Sequence, residues 1–220
     1  SLTDQYTWFG QYSEGFRTPS AKALYGRFEN LDLGYIVEPN ANLKPETSKG
    51  IETGIRSESH YGSFDIALFY NGYSKFIDED SAVVGGTVEQ FKSVNINSAH
   101  IKGAEAKGRI NLGLFGSPNG LYTQGSVSYA YGRNEDNGEP LNSVNPLKGV
   151  FVLGYDHEDY GGLLIWTLVK NQNRVDSTTF HTPDGSTDGP TKTRGFGTID
   201  LTAYYKVTND VTINLGLYNL

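Results

Sequence analysis

Alternation with a period of two constrains this chain more than any other feature. From Phe64, the series Phe64, Ile66, Leu68 and Tyr70 is interleaved with Asp65, Ala67, Phe69 and Asn71. After Leu121, Val127, Tyr129 and Tyr131 alternate with Gln124, Ser126 and Ser128. Ile199, Leu201, Ala203, Tyr205 and Val207 alternate with Asp200, Thr202, Tyr204 and Lys206, and Val211, Ile213, Leu215 and Leu217 with Thr212, Asn214 and Gly216. Such a pattern puts one apolar and one polar face on a strand. No helical stripe of useful length appears. Nine strands are expected, at 2–13, 46–57, 63–77, 88–112, 120–134, 148–158, 162–173, 194–207 and 211–220. Several exceed the ~5–6 residues usual in soluble sheets and reach the ~9–11 needed to cross a bilayer at a tilt.

The connections alternate in length. A long loop, 14–45, precedes a short turn, Glu58–Gly62. A medium loop near Asp78–Thr87 precedes a tight turn, Gly116–Gly120. Glu135–Leu147 precedes Glu158–Gly161, and the long Arg174–Thr193 precedes Thr208–Asp210. An up-and-down membrane barrel has long loops on one rim and tight turns on the other. A soluble sandwich has no reason to alternate them so regularly.

Composition narrows the classes further. The 220 residues carry a net charge of −7 and no basic run, which argues against nucleic acid as a partner. Absence of Cys removes disulfide frameworks, thiol nucleophiles and Cys-bound metal centres. No apolar run approaches the ~18 residues of a membrane helix, and no charged and apolar leader opens the chain. A soluble all-β domain and a segment of a transmembrane barrel remain. The polar positions, among them Asp200, Lys206, Gln124 and Asn214, suit a wet or plugged lumen. A packed sandwich core is incompatible with them, because each unpaired buried polar group costs a few kcal/mol. Single-chain bacterial barrels close with an even number of strands. Nine strands and no Met therefore imply the later part of a longer barrel, with earlier strands and the last strand outside this chain.

Five stretches carry a family resemblance. Gly15-Phe16-Arg17-Thr18-Pro19-Ser20, followed by Leu24-Tyr25-Gly26, resembles the FRAP box of TonB-dependent outer-membrane receptors in the haem, haemoglobin and transferrin group. Pro39-Asn40-Ala41-Asn42-Leu43-Lys44-Pro45-Glu46 resembles their NPNL box. Phe69-Tyr70-Asn71-Gly72-Tyr73 with Phe76-Ile77, Lys102-Gly103-Ala104-Glu105 and Leu217-Tyr218-Asn219-Leu220 resemble later strands of the same family. The resemblance spans essentially the whole chain. It implies an antiparallel barrel of about 22 strands filled by an N-terminal plug, of which residues 1–220 are the C-terminal portion. Residues 14–45 are then the seventh extracellular loop, where haem receptors hold their ligand.

Haem receptors of this kind usually carry a His between the boxes. Here there is none between Pro19 and Pro39, and Phe28-Glu29-Asn30 stands in its place. The loop holds two tyrosines, Tyr35 and Tyr25. A tyrosinate is an axial ligand for ferric haem, and Tyr35 is the preferred candidate because the triplet holding Tyr25 reads as a packing motif. A free phenol has a pKa of ~10, so ligation needs the iron or a cation to hold the phenolate. Arg27 is the candidate for that role or for a haem propionate. His181, in the long loop on the same rim, is a further candidate contact. His60, His100 and His157 read as structural. Phe16, Arg17, Pro19, Pro39, Asn40, Asn42, Leu43, Pro45 and Glu46 read as anchors of the loop, with Arg17 and Glu46 joined in a charge or hydrogen-bond network. Asp78, Glu79 and Asp80 read as an exposed acidic loop lacking the spacing of a calcium site. Gly185–Gly189 has no following helix and is no phosphate loop.

No Ser/His/Asp constellation stands out, so no bond-making chemistry and no catalytic cofactor are expected. The expected function is active uptake of ferric haem, free or from haem-carrying proteins, across a Gram-negative outer membrane, powered through TonB acting on the plug. A ferric-siderophore or host iron-protein receptor of the same family is the alternative, and a soluble β-sandwich binding module a more distant one.

Overall fold

The computed structural model describes residues 6–30, 34–83, 89–177, 180–181, 187–188 and 192–220; of these, the side chains of 80–83, 89, 180, 181, 187 and 188 are not described. Nine strands form an antiparallel meander: β1 (Tyr6–Arg17), β4 (Glu46–Ser59), β5 (Gly62–Val83), β6 (Glu89–Asn111), β7 (Leu121–Asn134), β8 (Lys148–Asp156), β9 (Tyr160–Val169), β12 (Phe196–Thr208) and β13 (Val211–Leu217). Each pairs with its neighbour in that order, and the sheet is open, with no pairing of β1 to β13 among the described residues. The nine long strands are those expected from the alternation. Short strands β2 (Phe28–Asn30), β3 (Tyr35–Glu38), β10 (Phe180–His181) and β11 (Thr187–Asp188) belong to the long loops.

The register aligns one apolar face across the whole sheet. Trp8 pairs with Ile55, Ile55 with Ile66, Ile66 with Ala106, and Ala106 with Val127. Phe151 with Trp166, and Ala203 with Leu215, continue the same face. All of these large side chains are exposed. In water such a surface would be a severe aggregation liability, whereas against lipid tails it is the stable arrangement. Tyr12 and Tyr70 edge this band at the long-loop end, and Tyr6, Tyr61, Tyr160 and Tyr205 at the short-turn end. Aromatic side chains suit both interfaces, having an apolar ring and a polar tip.

The opposite face is polar. Arg56 and Lys107 both approach Asp65, at 3.9 Å each. Arg56 and Arg109 lie over the rings of Phe9 and Tyr122, at 4.4 Å and 3.4 Å. Close packing there depends on glycine: a Cβ on Gly103 would stand 2.2 Å from the Tyr129 carbonyl and 2.6 Å from the Phe69 ring. At the turn between β4 and β5, Gly62 adopts φ +150 and a Cβ would meet the Arg109 carbonyl at 1.9 Å. The core of the described chain is small: Ile96, Ala99, Leu141 and Val144, with Tyr73, Phe76, Ile101 and Ala130 packed against them. It sits where the Glu135–Leu147 connection folds back over the sheet.

Three expectations need correction. The connection Asp78–Thr87 is mostly strand, because β5 runs on to Val83 and β6 begins at Glu89; residues 84–88 lie outside the described part. Glu79 is accordingly a strand residue that pairs with Arg17 at 3.5 Å, not a member of a free acidic loop; the Asp80 side chain is outside the described part. Residues 14–45 are not one irregular loop: β1 continues to Arg17, and a five-residue helix α1 (Ala21–Tyr25) follows, its Ser20 hydroxyl accepting from the Ala23 amide.

Candidate functional site

The loop between the two boxes forms a small platform on the long-loop side of the sheet. β2 and β3 make a hairpin, and β3 pairs in parallel with β6, Tyr35 opposite Glu89 and Glu38 opposite Lys92. Strand β6 therefore changes partner along its length. Its Ala99–Asn111 stretch pairs with β7, and its Glu89–Lys92 stretch takes β3 on the corresponding edge. Backbone groups that would otherwise be unpaired at a sheet edge are satisfied by the loop itself.

The boxes fix both ends of this platform. Arg17 donates to the Ile77 carbonyl at 2.8 Å, and the Glu46 carboxylate accepts the Ile77 amide at 2.8 Å. Arg17 also lies 3.6 Å from Glu46, a buried residue, so a charge pair joins the two stretches. Asn40 donates from its side chain to the Ser93 carbonyl and accepts the Asn42 amide, an Asx turn that shapes the second box. The Asn40 amide reaches back to the Ala23 carbonyl, tying α1 to the end of β3. Leu43 is buried, Pro19 and Pro39 are half-buried, and Phe16, Asn42 and Pro45 are exposed.

Asn95 completes the anchoring and was not foreseen from the sequence. Its side chain accepts the Lys44 amide at 2.8 Å and donates to the carbonyls of Lys44 and Lys75. Asn disfavours a strand interior, so Asn95 and Asn97 within Ser93-Val94-Asn95-Ile96-Asn97 were the available signal. Asn97 uses its amide to reach Asp136 at 2.8 Å.

The candidate ligand residues occupy different surroundings. Tyr35 is half-buried, its ring 6.1 Å from Phe28 and 5.9 Å from Phe91, edge-on to the latter. Tyr25, at the end of α1, is 74% exposed. Packing thus falls on Tyr35 rather than on Tyr25. Arg27 lies between two carboxylates, 2.7 Å from Glu29 and 3.1 Å from Glu38. The side chain of His181 and most of Gly185–Gly189 are outside the described residues; the His181 backbone pairs with Thr187 in the β10–β11 hairpin. The other histidines are held locally. His60 lies tilted against Tyr61 and His157 stacks on Tyr160, while His100 contacts Glu135 and lies against the rings of Tyr70 and Tyr131.

Comparison with known proteins places this architecture. A probable haemoglobin and haemoglobin-haptoglobin-binding protein of Haemophilus influenzae is 32% identical over 96% of this chain, which covers 22% of that protein. Haemoglobin-haptoglobin utilization protein B of Neisseria meningitidis is 28% identical over 96% of this chain and 29% of its own length. The chain therefore spans less than a third of these relatives. Among solved structures, the copper transporter OprC superposes with a TM-score of 0.78 at 21% identity, over 99% of this chain and 32% of its own. The ferric enterobactin receptor PfeA of Pseudomonas aeruginosa superposes with 0.73 at 19% identity, over 100% of this chain and 33% of its own, which speaks to the fold. The β-barrel model of the family described as TonB dependent receptor-like matches residues 1–220. With that match over its full length, and with an apolar outer face, a polar inner face and a latched long loop, the chain belongs to the TonB-dependent receptor β-barrel family of the Gram-negative outer membrane.

Proposed function

We propose that this chain is the C-terminal portion of an outer-membrane active transporter for ferric haem, taken free or from haem-carrying proteins, driven through TonB acting on a plug. The observation that carries the reading is the similarity, over 96% of the chain, to proteins named for binding haemoglobin and haemoglobin-haptoglobin. The platform between the boxes is the ligand-facing element in this reading. Ferric iron is a hard acid, and a phenolate oxygen from the loop supplies an anionic axial ligand. Tyr25 offers the more accessible ring and Tyr35 the more rigid one, so both stay in the proposal. Arg27 supplies a cation beside them, shared with Glu29 and Glu38, for a propionate or for the phenolate. His181 remains a candidate contact on the same side.

The test is an absorption and resonance Raman spectrum of the full-length receptor with ferric haem. Phenolate modes and a charge-transfer band support the reading, and they should vanish in Tyr25→Phe or in Tyr35→Phe, which assigns the ligand. A spectrum with two imidazoles keeps haem as the cargo and moves the loop-side ligand to His181. Saturable binding of a ferric siderophore with none of haem overturns the haem reading in favour of a siderophore receptor.

A further inference from the structure

The outer face carries a feature that haem uptake does not use. Register places Tyr70 opposite Lys102 and Lys102 opposite Tyr131, all on the lipid-facing side. Together with Ala104 and Tyr129 they line an open groove of about 410 Å³ at the long-loop end of the apolar band. The walls of the groove are aromatic rings. Its one charged lining residue, Lys102, has its ammonium 5.4 Å from the Tyr131 ring centre and is exposed.

More positive charge gathers at the upper edge. Arg174 reaches over from the long connection after β9, stacks on the Tyr131 ring at 3.7 Å and donates to the Gly132 carbonyl. Arg133, exposed, pairs in register with His100 one step above Lys102. On the same edge Glu135 is engaged by His100, whose ring lies against those of Tyr70 and Tyr131. Among the described residues, Lys102, Arg133 and Arg174 form no salt bridge with a carboxylate. A lipid-facing lysine at the top of the apolar band extends its stem along the rings and its ammonium toward the headgroups. Unpaired cations there attract anionic headgroups, and the rings below present an apolar wall to acyl chains.

We propose that this groove binds one phosphorylated glycolipid of the outer leaflet, with an acyl chain between the rings of Tyr70, Tyr129 and Tyr131 and a phosphate on Lys102 and Arg174. The charge selects an anion, the apolar groove directly beneath it selects a lipid over a free phosphate, and the position at the long-loop rim selects the outer leaflet. The site is independent of the haem assignment and rests only on the orientation of the barrel in its membrane.

The experiment uses the full-length receptor in detergent, incubated with bisphosphorylated lipid A, with its dephosphorylated form, or with phosphatidylglycerol. Lipid retained per protein is read by native mass spectrometry. The bisphosphorylated lipid should be retained best. Lys102→Gln and Arg174→Gln should each lower its retention about fivefold, the worth of one cation near an anionic surface, and Lys102→Arg should restore it. An unchanged melting temperature in detergent shows that the variants are folded. Equal retention of the two forms of lipid A, equal retention by variant and parent, or a preference for phosphatidylglycerol would overturn the proposal.

Discussion

Arg17 and Glu46 grip the same residue of a third strand from its two polar sides: the guanidinium holds the Ile77 carbonyl and the carboxylate holds the Ile77 amide, each at 2.8 Å. The two residues also face each other in the β1–β4 ladder, Arg17 opposite Glu46, at the points where the platform loop leaves and re-enters the sheet. One clamp thereby fixes both ends of the loop and the base of the β5–β6 arm. Hydrogen bonds to charged groups are worth about 1.5–3 kcal/mol each when their loss strands a buried partner. Glu46→Ala removes the acceptor of a buried amide and leaves Arg17 with the Ile77 carbonyl and, as carboxylate partner among the described residues, the exposed Glu79. It should cost about 2–3 kcal/mol and expose the 18–45 loop to limited proteolysis before the rest of the barrel. A variant whose loop is cleaved no faster than the parent's would show that the clamp does not hold the platform.

Lys75 stands at the base of the same arm with φ 56, a left-handed conformation that a side chain disfavours. The Asn95 side chain holds its carbonyl at 2.8 Å, so the conformation is imposed from outside the residue. Relief of the left-handed penalty is worth about 1–2 kcal/mol, and glycine returns about 0.5–1 kcal/mol of that through its freedom in the unfolded chain. Lys75→Gly should therefore stabilise the receptor by about 0.5–1 kcal/mol, read as a raised melting temperature in detergent. Asn95→Ala should lower it, since the Lys44 and Lys75 carbonyls both lose their donor. Should Lys75→Gly lower the melting temperature, the side chain is contributing more than its backbone costs.

The transmembrane part of this architecture is legible in sequence because the bilayer enforces it. Lipid-facing positions such as Trp8, Ile55, Ile66, Val127 and Leu217 must be largely apolar across the band, so the period of two and the register follow from composition along the strand. Above the rim that constraint ends. The segment Asp78-Glu79-Asp80-Ser81 has no apolar alternation, and it reads as loop while the backbone continues as strand. Attachment of β3 to β6 pairs Tyr35 with Glu89 across a long stretch of chain and leaves no local signal. The boxes revealed Arg17 and Glu46 but not Ile77, whose contribution is backbone alone. Tyr35 and Tyr25 were legible as candidates. Their relative packing was not, because Phe91, the partner of Tyr35, lies on another strand.

Arg27 between Glu29 and Glu38 makes the proposed haem contact sensitive to charge on the platform. Exposed pairs of this kind are individually worth about 0.2–1 kcal/mol. Glu38→Gln frees one face of the guanidinium without altering shape. It should tighten ferric haem binding by about 1.4- to fivefold by titration, corresponding to that range. The gain should disappear with the dimethyl ester of haem, which lacks ionised propionates. An unchanged affinity in Glu38→Gln, or an equal gain with the ester, removes Arg27 from the propionate role and leaves it as a brace between β2 and β3.

Depth along the outer face gives the last prediction. Ile66 lies midway along the apolar band, in register with Ile55 on one side and Ala106 on the other. Tyr12 lies at its upper edge, where its hydroxyl reaches Glu14. Placing a guanidinium at the bilayer midplane of a barrel costs about 2–4 kcal/mol, falling to about 0–1 near the interface. Ile66→Arg should thus destabilise the folded receptor in lipid vesicles far more than Tyr12→Arg, which also gains Glu14 as a partner. Urea titration in vesicles reads the difference directly. In detergent micelles the gap should narrow, because a micelle deforms around the charge more easily than a bilayer does. Equal effects in vesicles would mean that the Trp8–Ile55–Ile66–Val127 face is not the lipid-facing one, and the assignment of inner and outer faces would have to be reversed.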